Sequence, residues 1–167
     1  KTQKKENKVK IDFKILKFFS IKSLFTPGPT KAHCLKITSS QDAYKVLLEL
    51  WDSNTIQLQE TFKVLLLDNS NTVIGVHSLA TGGITSVLVD LRLLFAAVLK
   101  SAATGIICSH NHPSGTLIPS AADKIIYFEI KEIAKFHDLS VLDNLIVTTE
   151  SYLSLVLSHL LKLSIKF

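Results

Sequence analysis

The stretch GIICSHNHPSGTLIPSAAD, residues 105–123, constrains this chain more than any other. An apolar run opened by Gly105 ends in two histidines one residue apart. A proline and a glycine then turn the chain, and a serine and an aspartate three residues apart open a second apolar pattern. GIICS predicts a short buried strand, and SAADKIIYFEIKEIAKF a long helix of charged and apolar positions at helical period. Alternate residues of an extended backbone share a face, so His110 and His112 fall on one side, near enough to share one ion. Pro113 and Gly115 let Asp123 return from the first turn of the following helix. Two imidazoles and a carboxylate form a zinc-ligand set that leaves a fourth tetrahedral position open, the mark of a catalytic site. The same residues also read as a helix start, because Ser120 and Asp123 stand in the S-x-x-D relation of a cap. Spacing alone leaves cap and metal site both open.

The remainder of the chain supplies a mixed α/β frame. KVKIDFKI, residues 8–15, alternates apolar and polar side chains and predicts a half-exposed strand, and TPGPT at 26–30 breaks the apolar stretch that follows. CLKITSS reads as a short strand, and SSQDAYKVLLELWD as a helix capped by Ser39 or Ser40. ETFKVLLLD and TVIGVH flank the turn-prone DNSN, so residues 60–77 predict a hairpin. TGG at 81–83 is a flexible loop with two readings, a stretch along the cleft that lets a substrate backbone approach closely or an ordinary tight turn. VDLRLLFAAVLKSA predicts a helix, SVLDNLIVTT a strand, and YLSLVLSHLLKL a terminal amphipathic helix. Strands and helices mix without regular βαβ repetition, which favours a two- or three-layer sandwich over a doubly wound sheet.

Composition narrows the class. With 167 residues, 47% of them hydrophobic and 20% charged, the chain suits one globular domain with a sizeable core. Two cysteines cannot build a disulfide framework, so a reduced cytoplasmic setting is expected, with Cys108 a buried hydrophobe. No apolar stretch approaches the ~18–20 residues of a membrane span. The net charge of +5 conceals an asymmetry: residues 1–36 hold ten lysines against Glu6 and Asp12, and the remainder is mildly acidic. Any nucleic-acid partner would therefore be met by the lysine-rich arm. His33, His77, His137 and His159 lack paired spacing and read as surface or incidentally bonded residues. His77, ending a hairpin strand near Glu60, is the one of them placed to matter.

H-N-H-P-S-G followed by P-S-A-A-D resembles the signature of the JAB/MPN metalloenzymes, H-x-H-P, six residues, then S-x-x-D. ITSSQDAYKVLLELWD, ETFKVLLLD, ATGGITSVLVDLRLLFAAVLKSA and VLDNLIVTT extend the similarity to the bacterial RadC-like branch over roughly residues 36–153. The resemblance implies a JAB/MPN-like, cytidine-deaminase-like α/β fold: a mixed sheet flanked by helices, with residues 1–30 as a basic extension and 31–167 as the domain. The helix-hairpin-helix portion of longer members has no counterpart here. The resemblance also implies one zinc per chain on His110, His112 and Asp123, with Glu60 deprotonating the attacking water and Ser120 stabilising the oxyanion. The implied activity is that of a metallopeptidase or isopeptidase acting on a peptide or protein. The alternative is a nucleic-acid-binding DNA-repair or mobile-element accessory whose zinc is structural or vestigial. Two departures stand out. Asp143-Asn144 replaces the usual Asp-His, and SYLSLVLSHLL lacks the usual glycine-containing ending; both bear on the outer wall of the cleft.

Overall fold

In a computed structural model the chain is described over residues 21–23 and 35–157. The expected strand at 8–15, most of the basic extension, and His33 and His159 lie outside those residues. Six strands form one sheet, β1 (Ile21–Ser23), β2 (Thr61–Leu67), β3 (Val73–Thr81), β4 (Gly105–Asn111), β5 (Ser140–Val147) and β6 (Tyr152–Ser154), in the order β1-β3-β2-β4-β5-β6. β4 and β5 run parallel and every other pair is antiparallel, so the sheet is mixed, as expected. Three helices accompany it: α1 (Ser40–Glu49), α2 (Leu91–Lys100) and α3 (Ala121–Lys135).

Strand alternation divides the core into two layers. Leu65, Leu67, Ile107, Leu145 and Val147 pack with Ala43, Tyr44 and Leu47 of α1 on one face. Phe62, Val64, Leu66, Ile106 and Cys108 pack with Leu94 and Val98 of α2 and Ile130 and Ala134 of α3 on the other. Because β2 and β4 are buried on both faces, their sequences read as nearly continuous apolar runs. The result is an α/β/α sandwich. Burial also pushes the Cys108 thiol up to about 12, which makes it an inert core side chain.

Each helix begins where its sequence provides a cap. Ser39 accepts the Asp42 amide at 3.2 Å, and Asp90 accepts the Arg92 amide at 2.9 Å. The DNSN connection closes through Asp68, whose Oδ1 accepts the amides of Ser70 and Thr72, both at 2.8 Å. The hairpin is longer than expected, with β3 running on to Thr81.

Two expected elements differ. Of the strand expected at CLKITSS, the described residues 35–40 make an isolated bridge, Lys36 to Thr72, in place of a strand. Thr38 is instead tied through its amide and hydroxyl to the Asp42 carboxylate, which bends the chain directly into α1. The helix expected from Tyr152 begins as β6, paired with β5; helix starts at 155 and is described to 157, and the rest of that expected helix lies outside the described residues. Ser154 donates to the buried Asp143 carboxylate at 2.8 Å, and the Tyr152 and Tyr44 rings stack 4.9 Å apart. Those contacts, together with main-chain pairing along a sheet edge, outweigh a helical pattern of apolar residues. Among the described residues, no helix is long and apolar enough to cross a membrane.

Candidate metal centre

β4 carries His110 near its end, and its parallel pairing with β5 continues into a hydrogen bond donated by the His112 amide to the Val147 carbonyl at 3.2 Å. The extended spacing therefore holds through both histidines, and their Nε2 atoms lie 3.0 Å apart. The His110 ring is nearly buried and lies parallel to Phe62, with 6.3 Å between ring centres. His112 has its Nδ1 2.7 Å from the Thr116 carbonyl oxygen. A carbonyl only accepts, so Nδ1 carries a proton and Nε2 is the atom turned toward His110 and Asp123. The turn that brings Thr116 back closes through the Gly115 amide and the His112 carbonyl, with Gly115 at φ +76°, a conformation glycine adopts freely.

α3 brings the third donor. Ser120 Oγ accepts the Asp123 amide at 3.1 Å, and Asp123 Oδ2 accepts the Ser120 amide at 2.7 Å, a reciprocal capping box. The same carboxylate places Oδ1 3.2 Å from His110 Nε2, and Oδ2 3.7 Å from His112 Nε2. Cap and site thus coexist on one side chain. Burial works against the Asp123 carboxylate, but the contact with His110 and the nearby His112 imidazole outweigh it and hold the carboxyl below the usual range. The nearby Asp123 carboxylate in turn pushes the His112 imidazole up. One ligand atom from each of the three residues lies within 4.8 Å of the others, a cluster that could hold a metal ion.

Glu60 sits directly before β2, on the chain neighbouring β4, where Phe62 is the register partner of His110. Its amide donates to Gly83 O, and its carbonyl accepts from Gly82 N, both at 2.8 Å. Burial pushes its carboxyl above the usual range, against the opposing pull of His110 and His112. Glu60, Ser120 and the three clustered residues all line one cavity of about 920 Å³. Ile84, Leu88, Ile118 and Ile125 also line it.

Several expectations need correcting. Gly82 does not offer its bare backbone to a substrate: a Cβ there would lie 2.1 Å from the Ser86 carbonyl oxygen, so the close approach is made by the chain itself. Asn144 is fully buried and, with β6, lies away from the cavity lining, so among the described residues neither Asn144 nor the 151–157 part of the second departure forms its wall. His77 is buried within β3, opposite Val64 and not beside Glu60, while His137 is exposed and tilted against Phe95. Sequence reasoning passed over Asn111. Its carboxamide bonds the Thr61 amide and the carbonyls of Ile56 and Gln59. The available signal was a wholly polar residue closing an apolar strand on the face opposite the two imidazoles.

Comparison with known proteins agrees with this geometry. The model of the RadC-like JAB domain matches residues 37–160. A UPF0758 protein of Flavobacterium johnsoniae is 46% identical over 121 residues, covering 72% of this chain and 52% of that protein. A UPF0758 protein of Staphylococcus haemolyticus is 34% identical over 122 residues, covering 73% and 52%. One of Pseudoalteromonas translucida is 39% identical over 109 residues, covering 63% and 49%. The chain spans about half the length of the curated relatives it matches. With strand, turn and capped helix all inside the matched span, the chain belongs to the RadC-like JAB domain family.

Proposed function

We propose that this chain is a zinc-dependent hydrolase that cleaves an amide bond of a peptide or protein, a peptide or isopeptide linkage. The carrying observation is that His110, His112 and Asp123 gather their ligand atoms in a cavity which Glu60 and Ser120 also line. Zinc suits the donor set. Bonds of ~2.0–2.1 Å at a tetrahedral angle put two ligand atoms roughly 3.3 Å apart. The separations of 3.0 Å between the imidazole nitrogens and 3.2 Å from His110 to Asp123 fit that spacing. The contact from His112 Nδ1 to Thr116 O is the outer partner that fixes a ligating imidazole's tautomer.

When bound, zinc supplies a Lewis acid that polarises a carbonyl and acidifies water. The rest falls to the side chains. Glu60, ionised, takes the proton of the attacking water on a carboxylate oxygen and passes it to the departing amine. Its burial strengthens its hold on that proton, which brings it nearer the working range of a general base. Ser120 Oγ accepts the Asp123 amide, so its own proton is available to donate to the oxygen on which charge grows. The apolar walls exclude bulk water and strengthen both effects.

The test is elemental analysis followed by one substitution. About one zinc per chain is expected. Glu60→Gln should keep that zinc while lowering kcat at least ~100-fold on the quenched-fluorescent library peptide that the parent chain cleaves fastest. Turnover retained in the variant would remove Glu60 from the reaction, and metal-free protein after chelator-free purification would remove the reaction itself.

A further inference from the structure

Asn111 lies between two of the clustered residues, yet its side chain serves the opposite face of β4. It is fully buried. A carboxamide offers two N–H donors and one oxygen acceptor, and here all three functions are engaged with a single segment. Nδ2 donates to Ile56 O at 2.6 Å and to Gln59 O at 2.9 Å, and Oδ1 accepts from Thr61 N at 2.7 Å. The residues on either side of Glu60 are therefore gripped by one amide. Glu60's own amide and carbonyl are bonded to Gly83 and Gly82. The segment before β2 is irregular, made of turns from 53 to 58 and a bend at 59. Such a connection has no ladder to set its position and would otherwise be among the looser parts of the chain.

We propose that Asn111 is a positioning residue, which locks the backbone around Glu60 to the strand that carries His110 and His112 and so sets the base against the metal ligands. The proposal rests on Glu60 acting as the base. Its physical content is geometric coupling: a movement of the β4 end displaces ligands and base together, so their mutual geometry persists. Few other side chains can replace it. Aspartate keeps the acceptor but sets a carboxylate oxygen against two carbonyls, glutamine is one methylene too long, and serine is too short to span both neighbours of Glu60.

The proposal is tested with the whole chain carrying Asn111→Ala, with Leu47→Ala as a control that weakens the α1 side of the core. Amide hydrogen exchange should quicken at least ~10-fold at Glu60 and Thr61 in Asn111→Ala, while Leu65 at the centre of β2 keeps its protection. Zinc per chain should be unchanged. On the library peptide used above, kcat should fall about 100-fold, the order expected when a reacting group is displaced by ~1 Å, with KM within about threefold. Leu47→Ala should lower the melting temperature yet leave kcat alone. Unchanged protection at Thr61, unchanged kcat, or an equal kcat loss in Leu47→Ala would each overturn the proposal. If Asn111→Ala does not fold, Asn111→Asp takes its place: it keeps the acceptor for Thr61, removes the donors for Ile56 and Gln59, and should lose kcat likewise. A parent chain that cleaves nothing in the library would defeat the proposed reaction, and exchange at Glu60 and Thr61 would then decide whether Asn111 holds that segment.

Discussion

A single carboxylate at Asp123 performs two tasks that the sequence presented as rivals. Its Oδ2 closes the cap of α3 while Oδ1 faces His110, because the first turn of a helix points its side chains back toward the incoming chain. Asn144 is the opposite case, a side chain with polar capacity and nothing to spend it on. It is fully buried, and among the described residues neither its Nδ2 nor its Oδ1 has a partner. A buried, unpaired polar group costs about 1–3 kcal/mol. Asn144→Leu, similar in branching, is therefore expected to stabilise the protein by about 1 kcal/mol in urea denaturation, with zinc content unchanged. Destabilisation of that size would show that the amide is satisfied or that the larger side chain does not fit. The sequence marked Asn144 as unusual but could not locate it. The dipeptide's place in a strand leaves open which neighbour inherits which face, and here Asp143 turns to Ser40 and Ser154 while Asn144 faces away.

At the scale of elements, the strand, turn and helix that make the cluster were legible because each carries local punctuation: Gly105, Pro113, Gly115 and the Ser120 cap. β6 was not, because edge pairing is a non-local interaction that the apolar spacing of YLSLVLSHLL does not encode. The segment from Ile84 to Val89 was equally opaque. There Val87 and Val89 turn into the core, and Leu88 stands 89% exposed beside the cavity. Ile118, which also lines it, is 76% exposed. Large apolar side chains left bare around a cluster that could hold a metal are surface that a bound molecule can cover. Leu88→Asp and Ile118→Asp should each lower kcat/KM at least ~10-fold on peptides with bulky apolar side chains flanking the cut. Exposed positions tolerate such changes within about 0.5 kcal/mol of stability. Equal kcat/KM in both variants would take the substrate out of this cleft.

Across the whole molecule, the site is a junction. His110 and His112 belong to the sheet, Asp123 to a helix on one face, and Glu60 to a loop held from the other face by Asn111. The α3·β4 interface has an apolar part deep in the core, Ile130 and Ala134 against Ile106 and Cys108, but its outer end rests on the cluster and the cap. A cation there would fasten the start of α3 to the end of β4, and a ligand that binds only the folded state stabilises it by mass action. At free zinc ~1,000-fold above its dissociation constant that gain is about 4 kcal/mol, or roughly 10 °C in melting temperature for a chain of this size. Removing zinc with a chelator should therefore lower the melting temperature by about that much and quicken amide exchange first at 112–124, with the centre of the sheet unaffected. Asp123→Ala should melt at one temperature whether or not chelator is present. A chelator-sensitive transition that survives in Asp123→Ala would mean that the metal is held elsewhere, and that the outer end of this interface stands on hydrogen bonds alone.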